Sequence, residues 1–441
     1  MKTHAMRSRL IPLDDSWDVL VAGGGPAGCA AAIAAAREGA RTLLVEATGC
    51  LGGMGTAGLV TCWCPFSDGR QMIYRGVAEK VFAASRAGVP HVDPKALDWV
   101  ALEPEQLKRV YDDMVTGAGA EVRFGTFLGA VERGADGAVS TAIVASKAGL
   151  SALRAKVYVD CTGDADLAAW AGAEFAQGEE GSGEVQPVSH CFLLTNVDEY
   201  AYGLVRRRLW PDVVEKILDS GRYPEIPDRH LCNSLIAPRT VGFNAGHLWD
   251  VDATSPASVS RAMMAGRKLA EALRRALAEF APAAFAGAHL AATAPLLGVR
   301  ESRRIVGDYV LTLEDYLARR SFDDEIGRNC YPIDIHTAKS EIGDRSLHVM
   351  ERYENFKPGE SHGIPYRCLT PRGLRNVLVA GRSISTDRPV QGSTRVMPVC
   401  MVTGEAAGLA AAMACRGAGD VHAVDPQQLR RRLREHGAYL P

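Results

Sequence analysis

Two short segments carry side chains whose types and spacing suit chemistry. In Tyr331-Pro332-Ile333-Asp334-Ile335-His336 a carboxylate stands two positions before an imidazole. Read as a strand, the segment points Tyr331, Ile333 and Ile335 one way and Asp334 and His336 the other. A carboxylate beside a histidine fixes its tautomer and raises its basicity. Such a base suits removal of an O–H or N–H proton while hydride leaves the adjacent carbon. A structural Asp–His hydrogen bond is the equally weighted alternative. In Gly298-Val-Arg300-Glu301-Ser-Arg303-Arg304, Arg300 or Arg303 could grip a substrate carboxylate or a cofactor edge. An ion-pair network between domains suits Arg303 and Arg304 better. Tyr366 and His362 either line the same pocket or shape a turn around Gly363 and Pro365, whereas His190 and His247 read as structural. The Cys62-Trp63-Cys64 pair reads as packed thiols, since i and i+2 strand positions rarely form disulfides. A redox or cofactor-tethering role is its alternative. No zinc-like spacing occurs, so no metal is expected.

A dinucleotide site must position this chemistry, and the N-terminal stretch supplies one. Val19–Ala22 is a short apolar run that reads as a buried strand. Gly23, Gly25 and Gly28 follow as G-x-G-x-x-G, with Pro26 and Ala27 between them. Cys29–Glu38 is alanine-rich and helix-favouring, and Gly39 stands at its C-cap. Ala40–Glu46 reads as the second strand. Gly23 permits the tight turn, Gly25 lets backbone approach a pyrophosphate, and Gly28 lets helix and strand pack closely. The helix N-terminus then offers unpaired N–H groups and a positive dipole end to the phosphates. Glu46 falls at the ~20-residue spacing of a carboxylate that binds a ribose.

Further along, Gly49–Gly58 is a glycine-dense loop that lets backbone lie along an extended ligand. Pro104–Ala118 reads as a helix. Val122–Phe124, Phe127–Glu132 and Val139–Ser146 read as a β-meander with a turn at Asp136-Gly137. Lys156–Asp160 reads as a strand running into Cys161-Thr162-Gly163-Asp164-Ala165-Asp166. Arg375–Arg382 is another buried strand ending in glycine, and Gly392–Pro398 precedes a helix over about Val399–Ala414. Gly404 and Gly408 there mark close packing. Pro256–Phe285 reads as one long helix capped by Ser255.

With L-G-G-x-x-T at Leu51–Thr56, D-x-T-G-D-A-D at Asp160–Asp166, G-V-R-E-S-R-R at Gly298–Arg304 and G-S-T-R-V-M-P at Gly392–Pro398, the chain resembles the FAD-dependent oxidoreductase family of glutathione-reductase-type FAD fold. The resemblance runs from about Trp17 to Cys415. It implies that Gly23–Gly28 hold the pyrophosphate and Glu46 the adenosine ribose. Gly53, Met54 and Thr56 would follow the ribityl-pyrophosphate, and Thr162, Gly163 and Asp164 would stand near the adenine half. Gly381 and Arg382 would approach the ribityl and phosphate, while Met397 and Pro398 would open a helix aimed at flavin N1 and its C2 carbonyl. Reduction places negative charge on N1, which a helix N-terminus favours by ~0.3–1 kcal/mol. Arg395 would add a full positive charge.

The expected fold is therefore α/β. A Rossmann-like FAD-binding domain (13–177 and 367–441) would carry an inserted α+β substrate domain (178–366), with 293–312 returning to the first. The implied activity is an FAD-dependent dehydrogenase or oxidase moving hydride between a small molecule and flavin N5. Alternatives are a monooxygenase and a flavin-dependent tRNA-modifying enzyme. There is no second G-x-G-x-x-G unit for NAD(P)H and no disulfide-reductase cysteine pair. The G-D-A-A-H motif of aromatic hydroxylases is absent too, since Arg382-Ser-Ile-Ser stands in its place. The electron acceptor would be oxygen, a quinone or a carrier protein. A net charge of −2 gives no general pull toward nucleic acid or anionic lipid. The 11 scattered cysteines suit a reducing cytoplasm. No run reaches the ~18 apolar residues of a membrane span. A homo-oligomer is left open.

Overall fold

The computed structural model describes residues 3–4, 8–336, 338–341 and 351–441. The expected 178–366 stretch therefore includes some residues, 337 and 342–350, outside the described set. The chain forms a mixed α/β fold around a seven-stranded sheet. Its order is Glu121–Arg123, Thr42–Val45, Leu13–Ala22, Gly149–Asp160, Val139–Ser146 and Phe127–Arg133, with Val377–Val379 also paired to Gly149–Asp160. The first four of these strands and Val377–Val379 run parallel. Val19, Leu20, Val21 and Ala22 are buried on both faces, which explains a continuous apolar run rather than an alternating one.

The parallel strands end along one edge. Ala22 leads into Gly23, Val45 into Glu46, Asp160 into Thr162 and Val379 into Gly381. Ligands of such sheets bind outside the carboxyl ends of their strands. The meander differs from expectation. Residues 121–123 join the parallel sheet beside Thr42–Val45, and the meander instead runs through Phe127–Arg133, Val139–Ser146 and the long Gly149–Asp160.

Two helices cover one face of this sheet, Pro26–Arg37 and Met397–Cys415. They meet backbone to backbone. A Cβ placed on Gly404 would lie 2.1 Å from the Ala27 carbonyl oxygen, and one on Gly408 would lie 2.0 Å from that of Ala31. The second helix is long and apolar enough to cross a bilayer by composition alone, yet nearly all of it is buried within the fold.

A second, antiparallel sheet has the order His289–Thr293, Phe192–Thr195, Thr240–Ala245 and Leu231–Ala237. Stacked Phe192 and Phe243 rings, 5.0 Å apart, pack with Leu269, Leu273 and Leu277 of the helix Pro256–Phe280. Ser255 caps that helix by accepting the Ser258 amide. The single helix expected over 256–285 is broken, because Pro282 lacks an N–H and starts a separate turn, Pro282–Phe285.

The helix contact predicts opposite outcomes at two glycines. Gly404→Ala should destabilise the protein by about 3 kcal/mol or more, since backbone must move. Gly203→Ala, in the helix Glu199–Val205 with open space around the added carbon, should be neutral or stabilising by up to about 1 kcal/mol. Thermal and denaturant melts of both variants check this.

Candidate active site

A cavity of about 1080 Å³ runs from the glycine turn at the sheet edge to a cluster of histidines near the second sheet. The end at the glycine turn is built from local backbone. Gly23 has φ +97°, and a Cβ there would lie 2.5 Å from the Cys161 carbonyl oxygen. A Cβ on Gly28 would lie 1.8 Å from the Gly23 oxygen, so this residue seats the helix on the strand. Gly25 differs from both, for a Cβ there would meet nothing within 4 Å and would project into open space. The helix that starts at Pro26 has no side chain capping its N-terminus, and neither has the helix that starts at Met397. Gly25, Pro26, Ala27, Val396, Met397 and Cys400 all line the cavity, so both uncapped ends face one space. Glu46 is fixed there by the Gly24 amide at 2.6 Å and the Thr48 amide at 2.7 Å.

Among the other expected cofactor residues, Gly23, Gly53, Met54, Thr162, Gly163, Asp164, Gly381, Arg382 and Arg395 also line the cavity. Two do not. Thr56 donates to the Leu51 carbonyl at 2.6 Å and closes its own loop, and Pro398 only opens its helix. Arg382 is engaged by Asp164 at 2.9 Å and Ser302 at 3.0 Å. Arg395 donates to the Asp334 carbonyl oxygen at 2.8 Å and its carboxylate at 3.2 Å, while its Nε–H is buried without a partner among the described residues. An open cradle at Gly25, two uncapped helix ends and an unpaired guanidinium N–H fit an elongated anionic dinucleotide with acceptor atoms at its far end.

The far pole holds three of the four expected catalytic residues. His336, Asp334 and Arg300 line the cavity. Tyr366 does not: its hydroxyl donates to the Val421 carbonyl at 2.8 Å, away from the site. His362 is likewise buried elsewhere, against Asn329 at 3.0 Å. The expected strand over 331–336 is absent. Pro332 offers no amide for a ladder, and neighbouring side chains hold the backbone instead. Ser393 donates to the Tyr331 carbonyl, Arg395 to that of Asp334, and Gln186 accepts the His336 amide at 3.3 Å. Consequently Tyr331 and Asp334 share a side, joined by a 3.2 Å hydrogen bond.

Asp334 Oδ1 stands 3.5 Å from His336 Nε2. Burial opposes ionisation of Asp334, but His336, Arg395 and Arg300 outweigh it and hold the carboxyl far below its usual range. Burial, with Arg300 nearby, lowers His336 to about 4, so its ring is neutral at pH 7. Arg300 is buried, donates to the Pro187 carbonyl at 2.8 Å and Ser189 Oγ at 2.9 Å, and is lowered by burial and Arg395 only to about 10, so it stays charged.

Sequence reasoning did not single out Asp228 and His230 and read His247 as structural; all three line the cavity, and His247 is hydrogen-bonded at both ring nitrogens. His230 and His247 bracket the hairpin Leu231–Ala237/Thr240–Ala245, in which Leu231 pairs with Ala245. That register stacks their rings with centroids 4.3 Å apart. His247 Nε2 meets His336 Nδ1 at 2.8 Å, and its Nδ1 meets Asp228. The signal was the pairing of the two runs, which local spacing does not reveal. Cys62 and Cys64 are free thiols at the cavity wall, and burial raises both, Cys62 to about 11, so neither is a thiolate. Arg303 pairs with Asp166 at 2.7 Å and Arg304 with Glu301 at 2.6 Å, away from any ligand role.

A methyl group tests the cradle. Gly25→Ala should leave the melting temperature of the apoprotein unchanged and cost at least tenfold in dinucleotide affinity, about 1.4 kcal/mol. Equilibrium binding of FAD, followed by flavin fluorescence, reads it.

No curated protein matches the sequence. Solved structures resemble it weakly. A geranylgeranyl bacteriochlorophyll reductase-like protein from Thermoplasma acidophilum is 14% identical over 96% of this chain and 83% of its own, with a TM-score of 0.48. The p-nitrophenol 4-monooxygenase PnpA from Pseudomonas putida is 14% identical over 96% and 84%, with a TM-score of 0.43. The flavin-dependent brominase Bmp2 is 12% identical over 94% and 83%, with a TM-score of 0.47. The sequence pattern of the FAD dependent oxidoreductase family matches residues 18–433, nearly the whole chain. The protein is therefore an enzyme of that family, an oxidoreductase with FAD as its cofactor.

Proposed function

We propose that this enzyme is a dehydrogenase or oxidase that binds FAD in the extended manner of the glutathione-reductase-type fold. Its substrate is a small molecule carrying a hydroxyl or amine, seated at the histidine pole. One observation carries the reading: a single cavity joins the glycine cradle to a buried cluster of neutral imidazoles and an arginine. Its volume exceeds the ~300–1,000 Å³ of ordinary ligand pockets, as a dinucleotide and a second ligand together require.

The residues divide the work. Glu46 and the Gly23–Gly28 turn hold the nucleotide half, and the amide end of the Met397–Cys415 helix, with Arg395, favours negative charge at the other. When bound, FAD supplies an acceptor for two electrons and a hydride at N5. Arg300 orients an electron-rich substituent of the substrate. The histidine pole, with His336 aligned by Asp334, takes the hydroxyl or amine proton as hydride departs. Asp334 is itself held by Arg395 and Tyr331, so the ring it orients is set from the cofactor side. The acceptor that reoxidises the enzyme is oxygen, a quinone or a carrier protein.

Anaerobic mixing with a panel of hydroxy and amino compounds tests the reading, with loss of flavin colour as the signal. His336→Ala should slow bleaching by ~10²–10⁴-fold while FAD content stays the same. An unchanged single-turnover rate would remove His336 from the mechanism. A flavin that bleaches only with NAD(P)H would replace the dehydrogenase reading with a monooxygenase one.

A further inference from the structure

His230, His247 and His336 each bring one ring nitrogen into a group whose three nitrogens lie within 4.8 Å of one another. The rings come from different parts of the chain. Two flank a hairpin and the third hangs from the side-chain-anchored segment 331–336, yet their centroids are only 4.3, 4.9 and 5.1 Å apart.

Two carboxylates stand behind these rings. A neutral imidazole has one N–H. His247 gives its Nδ1–H to Asp228, and His336 turns Nε2 toward Asp334 at 3.5 Å. His247 has then used its only proton on a carboxylate, and its Nε2 carries a lone pair. That lone pair faces His336 Nδ1 at 2.8 Å, accepting a hydrogen bond when His336 is protonated on Nδ1 and meeting a second lone pair, which a cation can join to it, when His336 is protonated on Nε2. His230 adds a third open position, since its Nδ1 is buried with no hydrogen-bond partner among the described residues. A cation between the rings would take one nitrogen lone pair from each of the three.

We propose that His230, His247 and His336 bind a divalent first-row transition cation, with Asp228 and Asp334 as the carboxylates that orient two of the ligand rings. Metal-ligating histidines commonly place their second nitrogen on a carboxylate in this way, which fixes the tautomer and raises ligand basicity. Three imidazoles suit zinc, iron, cobalt, nickel or copper rather than magnesium or calcium. Metal–nitrogen bonds of ~2.0–2.1 Å need ligand nitrogens only slightly farther apart than His247 and His336 now stand. The carboxylates of Asp228 and Asp334 offset the charges of Arg300 and Arg395 nearby. All three histidines line the cavity, so the cation keeps open positions toward it, as catalytic rather than structural sites do. The ligand completing those positions is an oxygen of the substrate, a hydroxyl or carboxylate, and with the cation in place His336 is its ligand rather than the free base of the metal-free enzyme. The inference rests on the cavity being the reaction site, but its test reads metal and not turnover, so either can fail alone.

FAD-loaded enzyme is stripped with a chelator, then titrated calorimetrically with zinc, cobalt(II) and magnesium. One zinc or cobalt per chain should bind, and magnesium should not. His247→Ala should lose at least about a hundredfold in zinc affinity, and Asp228→Asn, which keeps every ligand, about 10–100-fold. FAD content and circular dichroism establish that each variant is folded. If His247→Ala does not fold, His230→Gln takes its place with the same expected loss. Absence of stoichiometric zinc binding by the folded wild type overturns the proposal, leaving a shared proton between the rings. Equal zinc affinity in wild type and histidine variants overturns it as well.

Discussion

Ala27, Ala31, Gly404 and Gly408 let two helices touch backbone to backbone, and the site depends on that contact. A side chain at either glycine would run into a carbonyl oxygen about 2 Å away. Their closeness sets both N-termini against one cavity. Each helix end lacks a side-chain cap, and each is where its unpaired amides and dipole favour anions. In the proposed mode of binding one serves a pyrophosphate and the other the electron-rich edge of a reduced ring. A helix as apolar as Met397–Cys415 could be mistaken for a membrane anchor, but its composition follows from contact with sheet and helix on nearly every side.

The opposite pole is assembled from distant pieces and held by charge. Arg395 reaches from the start of the core helix to Asp334, Tyr331 binds the same carboxylate, and Asp334 faces His336. The second sheet brings Asp228, His230 and His247 up to that segment. Buried charges persist only when paired, and Arg300, Arg395, Asp228 and Asp334 share one neighbourhood with two charges of each sign. This pairing keeps a polar, ionised pole stable beside an apolar cavity wall.

The glycine turn at the cavity was legible in sequence because its geometry is local. The spacing of Gly23, Gly25 and Gly28 between a buried strand and an alanine-rich helix specifies a turn whose roles can be assigned residue by residue. Gly404 and Gly408 were readable as close-packing positions for the same reason. Thr56 and Tyr366 were misassigned, since a hydroxyl satisfied by a backbone carbonyl looks the same in sequence as one facing a ligand. The histidine pole was only half legible. Asp334 and His336 stood out as neighbours, but their strand was an error, because alternation says nothing about whether Pro332 leaves a ladder to join. His230 and His247 become partners only through hairpin register, and His336 joins them only through tertiary packing.

The central claim is that one cavity has a nucleotide end at Gly25 and a reactive end at His336. A crystal structure of the FAD-loaded enzyme tests it most directly. The account predicts pyrophosphate density against the Gly25–Ala27 turn, with the ring system lying past Met397 so that one face or edge looks onto His336. Density for FAD outside that turn, or a ring system directed away from the histidine pole, would contradict it.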